Sequence, residues 1–247
     1  MDNDEILLSL KNVSKSFFTS KKETNVLENI SFDIKTNQII ALLGPSGCGK
    51  STLLNILSSL EEQTSGKIYL SGKLGYMFQK DALLPWRNIF SNICLGLEIK
   101  KEKTKENILY ANSLINKYKL SDFVNNFPNQ ISGGMKQRVA LIRTLVLKPD
   151  LLLLDEPFSA LDAQTKIAVQ NDVYNIIKQE KKSALIVTHD IGEAIALADK
   201  IIILSDRPAK VKNILMLDIN HLSPLERRNN PKFNEYHSQI SHILGIF

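Results

Sequence analysis

At 247 residues, with 43% hydrophobic and 23% charged residues, the chain has the composition of a globular protein able to bury a sizeable core. Its net charge of +5 permits an acidic partner (nucleic acid, nucleotide or anionic lipid) without requiring one, and the lysine run at 100–105 reads as a solvated face. The start "MDNDEILLSL" is acidic and too short in apolar residues to read as a secretory signal, no run approaches the ~18 apolar residues of a membrane span, and Cys48 and Cys94 lack metal-ligand spacing. The expectation is a chain in a reducing cytosol that reaches a membrane only through a partner.

In chain order, short β-rich runs alternate with helix-period segments. "EILLSL" and "ISFDI" come first, then "QIIALLG", which enters the loop at 44–52 and the apolar helix "STLLNILSSL". "GKIYL" and "KLGYMFQ" read as short strands. Between about 88 and 130 the pattern turns helical and more polar, with "ENILYANSLINKYK" as its clearest helix. From Met135 a helix is expected, since Met135, Val139, Ile142 and Val146 fall on one face. "LLLLD", the helix "TKIAVQNDVYNIIKQ", "ALIVTH", a further helix and "IIILS" complete the pattern, and Asp190 with Glu193 fits a capping box at the start of that further helix. Strands as continuously apolar as "LLLL" indicate an α/β fold with a central parallel sheet covered on both faces. The polar stretch at 88–130 is then a helical subdomain inserted into it.

The chemistry begins at "GPSGCGKST". Gly44, Gly49, Lys50 and Ser51 satisfy G-x-x-x-x-G-K-[ST] after a strand and before a helix, where backbone N–H groups and a helix N-terminus can cradle phosphate. Pro45, Ser46, Gly47 and Cys48 form the rest of the cradle. Lys50 is expected to reach the β- and γ-phosphates, Ser51 to ligate Mg²⁺ and Thr52 to bond a further phosphate oxygen. Cys48 reads as a small filler whose oxidation would interfere with nucleotide. "LLLLDEP" then places Asp155 and Glu156 at the end of a buried strand, where an open α/β sheet binds ligands. Asp155 is expected on the Mg²⁺ side, and Glu156 is expected to polarise the attacking water. The only stretch close to the guanine-reading N-K-x-D is "NKYK" at 116–119, and Lys119 stands where Asp is needed, which argues against GTP.

The order "GPSGCGKST", "MFQK", "ISGGMKQR", "LLLLDEPFSALD", "VTHD" resembles the ATP-binding cassette family over nearly the whole chain. The resemblance implies a P-loop NTPase core with a RecA-like, mainly parallel sheet, an N-terminal antiparallel β subdomain and an inserted helical subdomain. The cassette would span 1–219, with core segments 1–85 and 136–219 around an insert at 86–135, and a short helical tail at 220–247. It further implies an ATPase that uses ATP and Mg²⁺ and pairs head to tail with a second cassette, expected to be an identical chain. Ser132, Gly133 and Gly134 would close on the γ-phosphate held by the partner's loop. Gln79 would link Mg²⁺ and water to the partner-facing surface, Asp162 would communicate across the dimer, and His189 would contact the γ-phosphate. Phe17 would stack on adenine, with Phe18, on the opposite side of an extended strand, turned into the core.

Two departures accompany the match. Ile131 and Met135 stand where the family usually has Leu and Gln, so the polar contact of Gln is absent at 135. "DALLPWRNIFSNI", "LSDRPAKV" and "SGGM" look like the branch that energises nitrate, sulfonate and taurine importers, in which permease subunits are fed by an extracytoplasmic binding protein. That implies a peripheral place on the cytoplasmic face of the membrane and no nucleic-acid partner. Trp86 is either a core residue of the insert or an anchor for the permease. A soluble cassette acting on nucleic acid or ribosomes, and an exporter cassette, are the alternatives.

Overall fold

The computed structural model describes residues 5–19, 22–79 and 82–246. Strands β1 (Ile6–Thr19) and β2 (Lys22–Lys35) pair antiparallel; β3 (Ile39–Leu43) leads into helix α1 (Lys50–Leu57), and β4 (Ser65–Leu70) returns to β1. After β5 (Leu74–Met77) come α2 (Ile89–Ile93), α3 (Leu95–Ile99), α4 (Lys105–Lys117) and α5 (Gly133–Leu145). The chain then runs β6 (Leu151–Asp155), α6 (Ala163–Gln179), β7 (Ser183–Thr188), α7 (Ile191–Leu197), β8 (Lys200–Leu204), β9 (Val211–Met216), α8 (Pro224–Asn229) and α9 (Pro231–Leu244).

Two sheets result, a three-stranded β2-β1-β4 and a six-stranded β5-β6-β7-β3-β8-β9. The first five strands of the larger sheet are parallel, and β9 closes one edge antiparallel to β8. β3, β6 and β7 are buried at every position, which is why they read as unbroken apolar runs. Alternation still assigns their faces. Leu151 and Leu153 pack with α1 and the antiparallel sheet, whereas Leu152 and Leu154 pack with α5, α6 and the helical segment. That segment has no separate core: Ile93, Leu97, Leu114 and Ile115 join Val139 and Ile142 of α5 in the same cluster as the sheet. α5 itself runs without a break across residue 135.

Four local expectations change. α5 starts at Gly133, ahead of Met135, because the Ser132 hydroxyl caps it by accepting from Met135 N at 3.3 Å. At α7, Asp190 accepts from Glu193 N at 3.0 Å, but the Glu193 carboxylate is taken by Thr188 Oγ1 and Lys166 Nζ, each at 2.5 Å. The reciprocal half of that capping box is therefore absent. Phe18 is 69% exposed and does not enter the core. The tail forms two helices where one was expected, because Asn230 and Pro231 interrupt it and restart a helix. Both helices lie on α7, and α8 is fastened by its fully buried Arg227, whose guanidinium donates to the carbonyls of Ala198 at 2.6 Å and Asn220 at 2.8 Å.

Among the described residues no helix is long and apolar enough to cross a membrane.

Candidate functional site

The C-terminal ends of five parallel strands meet along one sheet edge, the place where open α/β sheets bind ligands. β3 delivers the loop at 44–52, β5 delivers Gln79, β6 delivers Asp155 and Glu156, and β7 delivers His189. The fifth end, that of β8, delivers the turn at 205–208.

In the loop, Gly49 takes a φ of 125°, and a Cβ there would lie 2.8 Å from Val26 Cγ1, so no other residue fits. Gly49 is also the N-cap of α1 and gives it no side-chain capping bond. The first backbone donors of α1 are thereby left for a ligand, with the positive end of the helix behind them. Cys48 is 2% exposed, in keeping with a filler, and burial pushes its thiol above the ordinary value. Lys50 is buried, and its Nζ donates to the Gly44 carbonyl at 2.7 Å and the Pro45 carbonyl at 2.8 Å. Ser46, Gly47, Lys50, Thr52, Glu156 and Arg207 contribute to the lining of an open cavity of about 190 Å³.

Asp155 and Glu156 differ although adjacent. Asp155 is 8% exposed and accepts from Ser51 Oγ at 3.4 Å, while the Tyr76 hydroxyl lies 3.4 Å from both Asp155 Oδ2 and Asn55 Oδ1. Burial raises the Asp155 carboxyl above its usual range, the Ser51 bond opposes that, and the Glu156 charge adds to it. A buried carboxylate with a hydroxyl at its side is an oxygen donor set that fits a hard divalent cation. Among the described residues no group of three or more His, Cys, Asp and Glu is placed to hold a metal, so a cation here would need oxygens from a ligand.

Glu156 sits at the rim, with a φ of 43° that a non-glycine residue seldom adopts. Its carboxylate is held on both oxygens: Gln79 Nε2 donates to Oε2 at 3.1 Å, and His189 Nδ1 lies 3.2 Å from Oε1. Three residues far apart in the chain, at 79, 156 and 189, therefore form one cluster. None of the residues 131–137 lines the phosphate-loop cavity. Ser132 and Gly133 stand exposed on another part of the surface, and Gly134 is buried against α6. Asp162 caps α6, accepting from Thr165 N at 3.0 Å, a bond that holds its carboxyl below the usual range. Phe17 is 39% exposed under Lys15 Nζ, which lies 4.7 Å from the ring centroid, and it does not line the cavity. Met135 packs against the main core, which explains an apolar residue there.

The family model for ABC transporters matches residues 27–159, a span that holds the phosphate loop, Gln79, Ser132 and the Asp155–Glu156 pair. The chain belongs to this family. It is similar to the uncharacterized ABC transporter ATP-binding protein YtlC of Bacillus subtilis, with 41% identity over 92% of this chain and 91% of that protein. It is also similar to the aliphatic sulfonates import ATP-binding protein SsuB of Bacillus cereus, with 37% identity over 94% of each. Among solved structures, the dimeric post-hydrolysis state of the ATP-binding cassette MJ0796 bound to ADP and Pi superposes with a TM-score of 0.70. That match has 29% identity and covers 85% of this chain and 98% of that one. The cassette is thus an α/β P-loop ATPase subunit of the ABC type.

Sequence reasoning passed over Tyr76 and Arg207. Tyr76 carried a signal, since it lies on β5, the strand that leads to Gln79, three residues ahead of it. Arg207 lies in "LSDRPAKV", which was noted only for its likeness to one branch, because its nearness to the loop at 44–52 exists only through the pairing of β3 with β8.

Proposed function

We propose that the chain is the energy-coupling ATPase of a membrane importer, acting as a head-to-tail pair on the cytoplasmic face of the membrane. The observation that carries the catalytic part is the Glu156 carboxylate fixed by Gln79 and His189 at the rim of the phosphate-loop cavity. Glu156 accepts the proton of the attacking water, and its two partners keep the carboxylate aimed at it. Lys50 leaves the Gly44 and Pro45 carbonyls for the β- and γ-phosphates, and His189 meets the γ-phosphate. Ser51, Asp155 and Gln79 are the residues suited to hold Mg²⁺, which when bound with ATP neutralises charge on the phosphates. Ser132 and Gly133 complete the same site from the second chain, Asp162 lies along that contact, and Phe17 stacks on adenine. Residues 86–135 form the inserted helical unit within a cassette spanning 1–219.

Support for the transport role comes from an apolar groove of about 410 Å³ whose lining includes Tyr76, Phe78, Leu95, Ile99 and Leu147. It opens beside the segment that follows Gln79, and Trp86 in that segment is 71% exposed. Such a surface suits a short apolar helix of a permease subunit. The likeness to sulfonate-import cassettes supports a small anionic solute, delivered by an extracytoplasmic binding protein.

Glu156→Gln tests the catalytic core of this reading. Turnover should fall by ~10²–10⁴-fold while ATP still binds, and a nucleotide-bound dimer should accumulate on gel filtration with Mg-ATP. Unchanged turnover would remove Glu156 from the role.

A further inference from the structure

We infer that Arg207 is a second cation of the nucleotide site, directed at the terminal phosphate from the side of the loop opposite His189. The strand order β7-β3-β8 sets this arrangement. His189 follows β7 on one flank of the loop at 44–52, and the turn at 205–208 follows β8 on the other. On the β8 flank the end of the strand lies against the loop: a Cβ on Gly44 would lie 3.2 Å from Leu204 Cβ, and the Asp206 charge acts on the Cys48 thiol. Arg207 itself contributes to the lining of the cavity together with Ser46, Gly47, Lys50 and Glu156.

Three features make the side chain available for a ligand. Arg207 is exposed and, among the described residues, has no ion pair or hydrogen-bonding partner. Lys50, the other cation of the cavity, is bound to two loop carbonyls in this state. Glu156, the residue assigned to the attacking water, lines the same cavity as Arg207, so the guanidinium shares one space with the hydrolytic end of the site. A planar guanidinium matches two phosphate oxygens at once, which a lysine cannot do. Arg207 then favours triphosphate over diphosphate and leaves the chemistry to Glu156.

This assignment rests on the phosphate-loop reading, and one set of titrations separates the two. Mg-ATP and Mg-ADP are titrated calorimetrically into the full chain carrying Glu156→Gln, alone and with Arg207→Ala, Arg207→Lys or Lys50→Ala. Arg207→Ala should weaken ATP about tenfold and ADP less than about threefold, with the ATP loss shrinking as potassium chloride is raised. Arg207→Lys should recover part of the ATP affinity, and the melting temperature without nucleotide should stay at the parent value. ATP affinity within twofold of the parent in Arg207→Ala, or equal losses for ATP and ADP, would overturn the assignment. If Lys50→Ala weakens ATP while Arg207→Ala does not, only Arg207 falls; if neither does, the phosphate-loop reading falls with it.

Discussion

The chain contains two glycine-flanked helix starts, and they are built for opposite situations. At α1 the cap is Gly49, which supplies no side-chain acceptor, and the loop folds over the helix end so that Lys50 is 5% exposed. At α5 the cap is Ser132, whose hydroxyl already accepts from Met135 N, and Ser132 and Gly133 are exposed to solvent. The first start is a cradle with free donors. The second is a self-capped knob that meets a ligand only when another surface brings one. One chain thus carries a complete phosphate cradle and an exposed helix end with nothing of its own to bind, the arrangement expected if two copies share their sites.

The two glycines of the second start also differ from each other. A Cβ on Gly134 would lie 2.7 Å from Val169 Cγ2 on α6, whereas on Gly133 it would lie 3.1 Å from Leu161 Cδ2. A glycine at 134 therefore lets α5 approach α6, and Gly133 is the one left at the surface.

Substitutions at the two starts can break this contrast. The largest expected effect is that of Ser132→Arg, which places a long side chain on the knob far from the cradle. Turnover of the purified chain should fall by ~10²–10³-fold, while ATP binding by the monomer, read by nucleotide titration, is retained. Loss of binding by the monomer would mean that the knob serves its own chain. Gly134→Ala should come next: the forced contact with Val169 should lower unfolding free energy by about 1–3 kcal/mol in urea titrations, with ATP affinity of the folded chain unchanged. An unchanged unfolding free energy would mean that the approach of α5 to α6 does not require glycine at 134. The smallest effect belongs to Trp86→Ala. Its exposure predicts a melting temperature and ATPase activity of the isolated chain near the parent values, together with weaker capture of the permease and loss of transport.

How far the sequence revealed this architecture differs from region to region. The cradle was legible because its chemistry is local: glycine spacing, Lys50 and Ser51 lie within one turn of chain between a strand and a helix. Asp155 was legible because a carboxylate ending "LLLLD" has few other uses. The cluster of Gln79, Glu156 and His189 was assembled through family resemblance, since no spacing rule joins positions 79, 156 and 189. β9 was missed: it is an edge strand with mostly exposed positions, so "VKNILM" carries no clean alternation. Phe18 was placed in the core from strand periodicity alone, but the register of β1 shifts at Leu10–Val13, Val13–Lys15 and Lys15–Ser16, and alternation does not survive shifts of that kind. The Glu193 contacts with Thr188 and Lys166 were invisible for a related reason, because Lys166 reaches them from a different helix.

The central claim, that the cradle of one chain is completed by the knob of another, is tested most directly by mixing two inactive chains. Lys50→Ala damages only the cradle and Ser132→Arg only the knob, so a dimer of one with the other holds one doubly damaged site and one intact site. In an equal mixture of exchanging chains, half of the dimers are mixed, and Mg-ATP turnover should recover to about a quarter of the parent value if the two sites of a symmetric dimer act independently. Turnover no greater than the mean of the two variants measured separately would contradict a shared site.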